Sequence, residues 1–166
     1  MAKVGIIGAG SWGTALSLLL YKNGNQVTVW SALEDEIAML EAEHEQKDKL
    51  PGVKLPEDMI FTTDLESAVR EKEVLVLAVP SPFVRSTAAR MAPFVEQGQI
   101  LVNVAKGIEE KTLMTLSQIL EQEIPAAEIA VLSGPSHAEE VGRGIPTTIV
   151  VGTGGRRLRR GCRICL

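Results

Sequence analysis

The chain has 166 residues, of which 45% are hydrophobic and 23% charged, with a formal net charge of −4. This is the profile of one globular domain able to bury a core. No apolar run approaches the roughly 18 residues that a bilayer span requires, and no signal-peptide pattern precedes Lys3. The expected address is therefore cytoplasmic, with no membrane partner.

Taken in order, the first 153 residues alternate apolar strands with helical stretches, the pattern of an α/β domain with a largely parallel sheet. Residues 3–8 read as a buried strand, and a Leu-rich helix over 14–23 follows, with Gly24 as its C-cap. Residues 26–30 (Gln-Val-Thr-Val-Trp) form a second strand. The charged stretch 33–47 has no Gly or Pro and predicts a surface helix with Ile37, Leu40 and His44 inward. A loop over 51–56 leads to a short strand at 60–63. Thr63-Asp64-Leu65-Glu66 has the capping-box spacing and predicts a helix to about Lys72. Residues 74–79 are apolar on both faces, as a central parallel strand requires. Pro80-Ser81-Pro82 breaks that strand and opens a helix over 83–91. A strand over 100–105, a helix over 112–122, a strand over 129–132, a short helix over 136–141 and a last strand over 147–151 complete the series. An apolar edge left open around 147–151 predicts self-association, for instance as a homodimer.

Between the first strand and the first helix stands Gly8-Ala9-Gly10-Ser11-Trp12-Gly13. This is the G-x-G-x-x-G arrangement in the strand–turn–helix setting that a dinucleotide phosphate site needs. Gly8 permits the tight turn, Gly10 admits a pyrophosphate to the backbone, and Gly13 lets the helix pack on the sheet. The free N–H groups and dipole at the helix start favour negative charge. The expected fold class is α/β, a Rossmann-like doubly wound, largely parallel sheet. Glycines serving the turn alone are the competing reading, which this context disfavours. A ribose-binding acid is expected at the tip of the second strand, where Ser31 is followed by Glu34 and Asp35. No Lys or Arg lies between Lys22 and Lys47, a lean towards NAD over NADP.

In open α/β sheets, ligands bind beyond the carboxyl ends of the strands. Three segments fall there: Pro80-Ser81-Pro82-Phe83, Lys106-Gly107-Ile108-Glu109 and Ser133-Gly134-Pro135-Ser136-His137-Ala138. A lysine at a strand end can hold a phosphate or carbonyl oxygen. Taken singly, it reads more readily as a solvated strand-end side chain; Gly134-Pro135 can be read as just a turn, and His137 as a capping or partly buried side chain.

Residues 154–166 break the pattern: they carry five arginines, no acid and both cysteines. A basic arm for nucleic acid or anionic lipid is one reading, and half a metal or redox site at Cys162-x-x-Cys165 is another. One C-x-x-C pair leaves zinc coordination incomplete, and the segment lacks the aromatic residues that single-strand binders use. It reads instead as non-native sequence, a frameshifted or cloning-derived end. The dinucleotide-binding domain is accordingly set at 1–153, incomplete at its C-terminal end, with no nucleic-acid partner and no metal.

Together, Gly8-Ala9-Gly10-Ser11-Trp12-Gly13-Thr14-Ala15, Val79-Pro80-Ser81, Ala105-Lys106-Gly107-Ile108-Glu109 and Ser133-Gly134-Pro135-Ser136-His137-Ala138-Glu139-Glu140 resemble bacterial NAD(P)-dependent glycerol-3-phosphate dehydrogenase. The resemblance implies an enzyme that interconverts dihydroxyacetone phosphate and sn-glycerol 3-phosphate with NAD or NADP, feeding phospholipid synthesis. It implies cofactor contacts at Gly8, Gly10, Ser11, Trp12, Gly13, Pro80, Phe83, Lys106 and Ala138, and substrate contacts at Lys106, Gly134 and Ser136. Family members run to about twice this length, and their second, helical domain supplies the general acid/base lysine. Beyond Lys111 this chain has no lysine, so no residue here is expected to be that catalytic group, and the chain alone is expected to be inactive. The alternatives are a related two-domain hydroxy-acid dehydrogenase, or a non-catalytic nucleotide-binding module with a basic partner-binding tail.

Overall fold

Successive side chains of a strand point to opposite faces, and here both faces are apolar. Val4, Ile6, Val74 and Val76 enter one buried cluster, whereas Ile7, Leu75 and Leu77 enter the other. A sheet with two greasy faces must be covered twice, and a parallel sheet with helical crossovers does this. The computed structural model describes residues 1–134 and 137–153. Ser136 and the basic segment 154–166 lie outside the described residues, as do the expectations placed on them.

Among the described residues, seven strands form one sheet in the order β3-β2-β1-β4-β5-β6-β7. They are β1 (Lys3–Ile7), β2 (Gln26–Trp30), β3 (Ile60–Thr62), β4 (Val74–Leu77), β5 (Ile100–Asn103), β6 (Glu128–Ser133) and β7 (Val150–Thr153). The first six pair in parallel, and only β7 runs antiparallel, with Ala130 opposite Thr153 and Ser133 opposite Val150. The chain winds from β1 outward through β2 and β3, then returns to β4 and continues the other way. This is the doubly wound order, with its switch point between β1 and β4.

Among the described residues, six α-helices accompany the sheet: α1 (Ser11–Lys22), α2 (Glu34–Glu43), α3 (Leu65–Val69), α4 (Val84–Met91), α5 (Leu116–Glu123) and α6 (Ala138–Gly142). One face carries α1, α2 and α6, through Leu16, Leu20, Leu40 and Val141. The other carries α3, α4 and α5, through Ala68, Val84, Met91, Ile119 and Leu120.

Several predicted boundaries move. The helix expected over 33–47 ends at Glu43, because His44 is left-handed (φ 48°). Beyond it, Glu45 bridges Lys54 and Gln46 turns wholly inward. The cap expected at Thr63 is Asp64, whose carboxylate accepts from the Glu66 N–H at 3.0 Å, and that helix stops at Val69. The helix expected from residue 112 begins at Leu116, since Ile108 and Thr115 pair across a small hairpin that occupies the residues between. Gly24 lies one residue beyond the helix C-cap Asn23, at φ 82°, and its N–H donates to the Tyr21 carbonyl at 2.8 Å.

Thr115 and Gln118 form a reciprocal capping box: Thr115 Oγ1 accepts from the Gln118 N–H, and Gln118 Oε1 accepts from the Thr115 N–H. Thr115→Ala is expected to lower stability by about 1 kcal/mol, read as a shift in urea midpoint with the slope unchanged.

Candidate functional site: a cleft at the sheet switch point

The turn joining β1 to α1 is shaped by close contacts. Gly8 has φ 121°, and a Cβ there would lie 2.8 Å from the Ala78 carbonyl oxygen on the next segment of the sheet. A Cβ on Gly13 would lie 1.9 Å from the Gly8 carbonyl oxygen. A Cβ on Gly10 would meet nothing within 4 Å. The three glycines thus differ in role: two permit backbone contact within the protein, and the third leaves the helix start open. The N–H groups of the first turn have no intrahelical acceptor and face that opening.

Two side chains steady the same turn. The buried Gln46 amide donates to the Ala9 carbonyl at 2.8 Å, and the Thr14 hydroxyl donates to it at 3.2 Å. Gln46 escaped the sequence reading because its partner is 37 residues away and its neighbours are charged surface residues.

Above the turn lies a cleft of about 920 Å³. Gly8, Gly10, Ser11, Trp12, Pro80, Phe83, Lys106 and Ala138 line it, so eight of the nine expected cofactor residues meet there. Gly13 lies beneath the turn, where its small size serves helix packing. Pro80 ends the β4 segment and Phe83 closes a 3₁₀ turn over Ser81–Phe83, with the residue 58% exposed at the cleft. At the end of β5, the buried Asn103 amide donates to the Ala105 carbonyl at 3.0 Å and its oxygen accepts from the Ala105 N–H at 3.3 Å. This clamp precedes Lys106, whose Nζ donates to the Gly134 carbonyl at 3.1 Å. Two expected substrate residues, distant in sequence, are therefore in contact. The third, Ser136, lies outside the described residues.

The tip of β2 departs from expectation. Glu34 and Asp35 are exposed in the first turn of α2, and the helical rotation turns Glu36 inward instead. Glu36 lines the cleft and accepts from Ser31 Oγ at 2.5 Å, Gln46 Nε2 at 2.8 Å and Lys49 Nζ at 2.5 Å. Arg90, from the last turn of α4, also reaches this end and lies over the Trp30 ring, 5.4 Å from its centroid. Lys49 and Arg90 were missed because both lie outside the β2–α2 segment where a basic residue is sought.

Glu109, close behind Lys106, does not enter the cleft. It pairs with Arg85 of α4 through two bonds, Nε to Oε1 at 2.7 Å and Nη2 to Oε2 at 2.8 Å, and also accepts from the Thr112 hydroxyl. Arg85 continues to Glu123 at 2.5 Å, so one guanidinium ties the loop after Lys106 to α4 and α5. The bonds from Arg85 and then Thr112 hold the Glu109 carboxyl down at about 2, and the two glutamates raise Arg85.

The fold and cleft define a dinucleotide-binding domain of the doubly wound class, with a glycine turn at the switch point and a lysine beyond the end of β5. Sequence comparison narrows this: residues 3–158 match the family described as NAD-dependent glycerol-3-phosphate dehydrogenase N-terminus, and the chain belongs to that family. It is 64% identical over 152 residues to glycerol-3-phosphate dehydrogenase [NAD(P)+] of Agathobacter rectalis, covering 92% of this chain and 45% of that protein. The Bacillus subtilis protein of the same name is 45% identical over 160 residues, covering 95% and 46%. The crystal structure of glycerol-3-phosphate dehydrogenase from Coxiella burnetii superposes with a TM-score of 0.93 at 28% identity, over 99% of this chain and 51% of that one. GDP-mannose dehydrogenase from Pseudomonas aeruginosa, at 13% identity and a TM-score of 0.79, shares the fold. The chain spans about half the length of the curated relatives it matches and corresponds to their N-terminal, nucleotide-binding part. NAD or NADP is the cofactor of the family.

Two expected outcomes follow from this geometry. Gly13→Ala forces a methyl group onto the Gly8 carbonyl, so it should cost about 3 kcal/mol or more and abolish dinucleotide binding, measured by thermal melting and NADH titration. Glu109 has a depressed folded pKa, so its contribution is complete above its ordinary value near 4.5 and fades as pH falls towards about 2. The stability gap between the native chain and Glu109→Gln should therefore hold level from pH 7 to about pH 5 and shrink as the pH falls from there to 3 in urea titrations.

Proposed function

We propose that the chain is the cofactor-holding part of an oxidoreductase that interconverts dihydroxyacetone phosphate and sn-glycerol 3-phosphate with NAD(P)H. The observation that carries this reading is the convergence of the glycine turn and Lys106 on one cleft, with Lys106 bonded to the Gly134 carbonyl. The residues present fit a dinucleotide: the open space over Gly10 leaves room for a pyrophosphate against the first-turn N–H groups of α1. Ser11 and Trp12 would flank that phosphate site, Pro80 and Phe83 would line the path to the nicotinamide, and Ala138 would close the opposite wall. Bound there, the nicotinamide dinucleotide supplies or takes up a hydride.

Lys106 has three N–H donors, and Gly134 occupies one. The other two can hold the oxygen on C2 of the substrate, orienting the carbon for transfer and stabilising charge that develops on that oxygen. Gly134 would form the adjoining substrate wall, and Ser136 is the further substrate contact that the family resemblance implies. Proton transfer to that oxygen needs a general acid, and the 166 residues hold no lysine after Lys111 to match the one the family resemblance implies. The expected setting is the cytoplasm, with the product serving glycerophospholipid synthesis.

Both tryptophans of the chain line the cleft, so binding is readable in their emission. NADH should quench it saturably, and Lys106→Met should weaken NADH binding by about tenfold through loss of a charged donor. Turnover of dihydroxyacetone phosphate by the 166-residue chain should stay at background. No quenching by either NADH or NADPH would overturn the assignment of the cleft. Robust substrate-dependent NADH oxidation would show instead that these residues supply the proton themselves.

A further inference from the structure

The end of the cleft at β2 carries more positive charge than a site for an unphosphorylated ribose needs. Among the described residues, the charged side chains lining the cleft are Glu36, Lys49, Arg90, Lys106 and Glu139. Lys106 lies at the β5 end, bonded to Gly134. At the β2 end, Lys49 cancels Glu36 at 2.5 Å, while Gln46 and Ser31 satisfy the carboxylate further. Glu36 is thus a poor choice as a free acceptor for a ribose hydroxyl, because three donors already occupy it. Arg90 makes no ion pair or hydrogen bond to a side chain among the described residues. Its guanidinium lies instead over the face of Trp30, the last residue of β2.

That stacking prepares the guanidinium for a ligand. The Trp30 ring is buried and its Nε1 donates to the Thr63 carbonyl at 2.9 Å, so the platform is fixed. Phe83, Thr87 and Arg90 recur at helical spacing and line one wall of the cleft together. Arg90 therefore presents a planar fork of donors beside the strand tip where the adenosine ribose of a bound dinucleotide lies. A phosphate ester on that ribose is the anion such a fork matches, in charge and in bidentate geometry.

We propose that Arg90 recognises the 2′-phosphate of NADP, so that the cleft binds NADPH more tightly than NADH. The proposal rests on the reading of the cleft as a dinucleotide site, and it reverses the lean towards NAD drawn from the lack of basic residues between Lys22 and Lys47. The cation comes from α4 rather than from the loop after β2.

The test is a pair of tryptophan-quenching titrations of the full chain with NADPH and NADH, repeated for Arg90→Ala and Arg90→Lys. The native chain should favour NADPH. Arg90→Ala should shrink the ratio of the two dissociation constants about tenfold or more, the loss expected for one charge-assisted contact. Arg90→Lys, which keeps the charge but not the fork, should recover part of that ratio. A native preference for NADH, or a ratio that Arg90→Ala changes less than about twofold, would overturn the role of Arg90 while leaving the cleft a dinucleotide site. If the native chain bound neither nucleotide, both readings would fall together. Raising the salt should erode NADPH binding more than NADH binding, because the added contact is ionic; equal erosion would count against it.

Discussion

The approach of Gly13 to the Gly8 carbonyl is the contact on which the rest of the molecule depends. It sets how closely α1 can lie on β1, and α1 both opens its first turn onto the cleft and forms the floor against which α6 packs. Any side chain at Gly13 would push the helix away from the strand. The open start of α1 would then no longer face the gap between β1 and β4, and Ala138 at the head of α6 would leave the cleft wall. One hydrogen atom in place of a methyl group thus fixes the position of an entire layer.

Charge is arranged with similar economy around the cleft. Glu109 and Glu36, either of which could have been read as a site acid, are each held by a cation: Arg85 for the first and Lys49 for the second. The Lys-Gly-Ile-Glu segment consequently splits its work, with its lysine in the cleft and its glutamate anchoring the loop to α4. Bidentate pairing makes Arg85 a rigid tie between three elements, which is what a lysine at the end of a strand needs to keep its position. Among the described residues lining the cleft, Lys106 and Arg90 are the cations without a carboxylate partner, and they lie at opposite ends.

How much of this was legible in the sequence varied with the range of the forces involved. The strands were read to within one or two residues, because a parallel strand buried on both faces announces itself as an apolar run; the last, expected over 147–151, is instead the antiparallel edge strand Val150–Thr153. Helix ends were read less well. His44 stops α2 through a left-handed turn whose reason lies in the burial of Gln46 against Ala9, a contact across 37 residues. The segment before Leu116 has helical composition but is taken up by the pairing of Ile108 with Thr115. Local propensity sets the type of an element; contacts between elements set where it stops.

The glycine turn, the order of apolar strands and the identity of Lys106 as a strand-end cation were written in the sequence, because each depends on residues adjacent along the chain. The doubly wound order is implied by the same alternation, since right-handed crossovers leave few other ways to cover both faces. The contact between Lys106 and Gly134, the inward turn of Glu36, the bracing of Glu109 by Arg85 and the arrival of Arg90 over Trp30 were not. Each joins residues from separate elements, and the sheet order brings them together. Their chemistry is therefore a property of folded distance, which no spacing along the chain encodes.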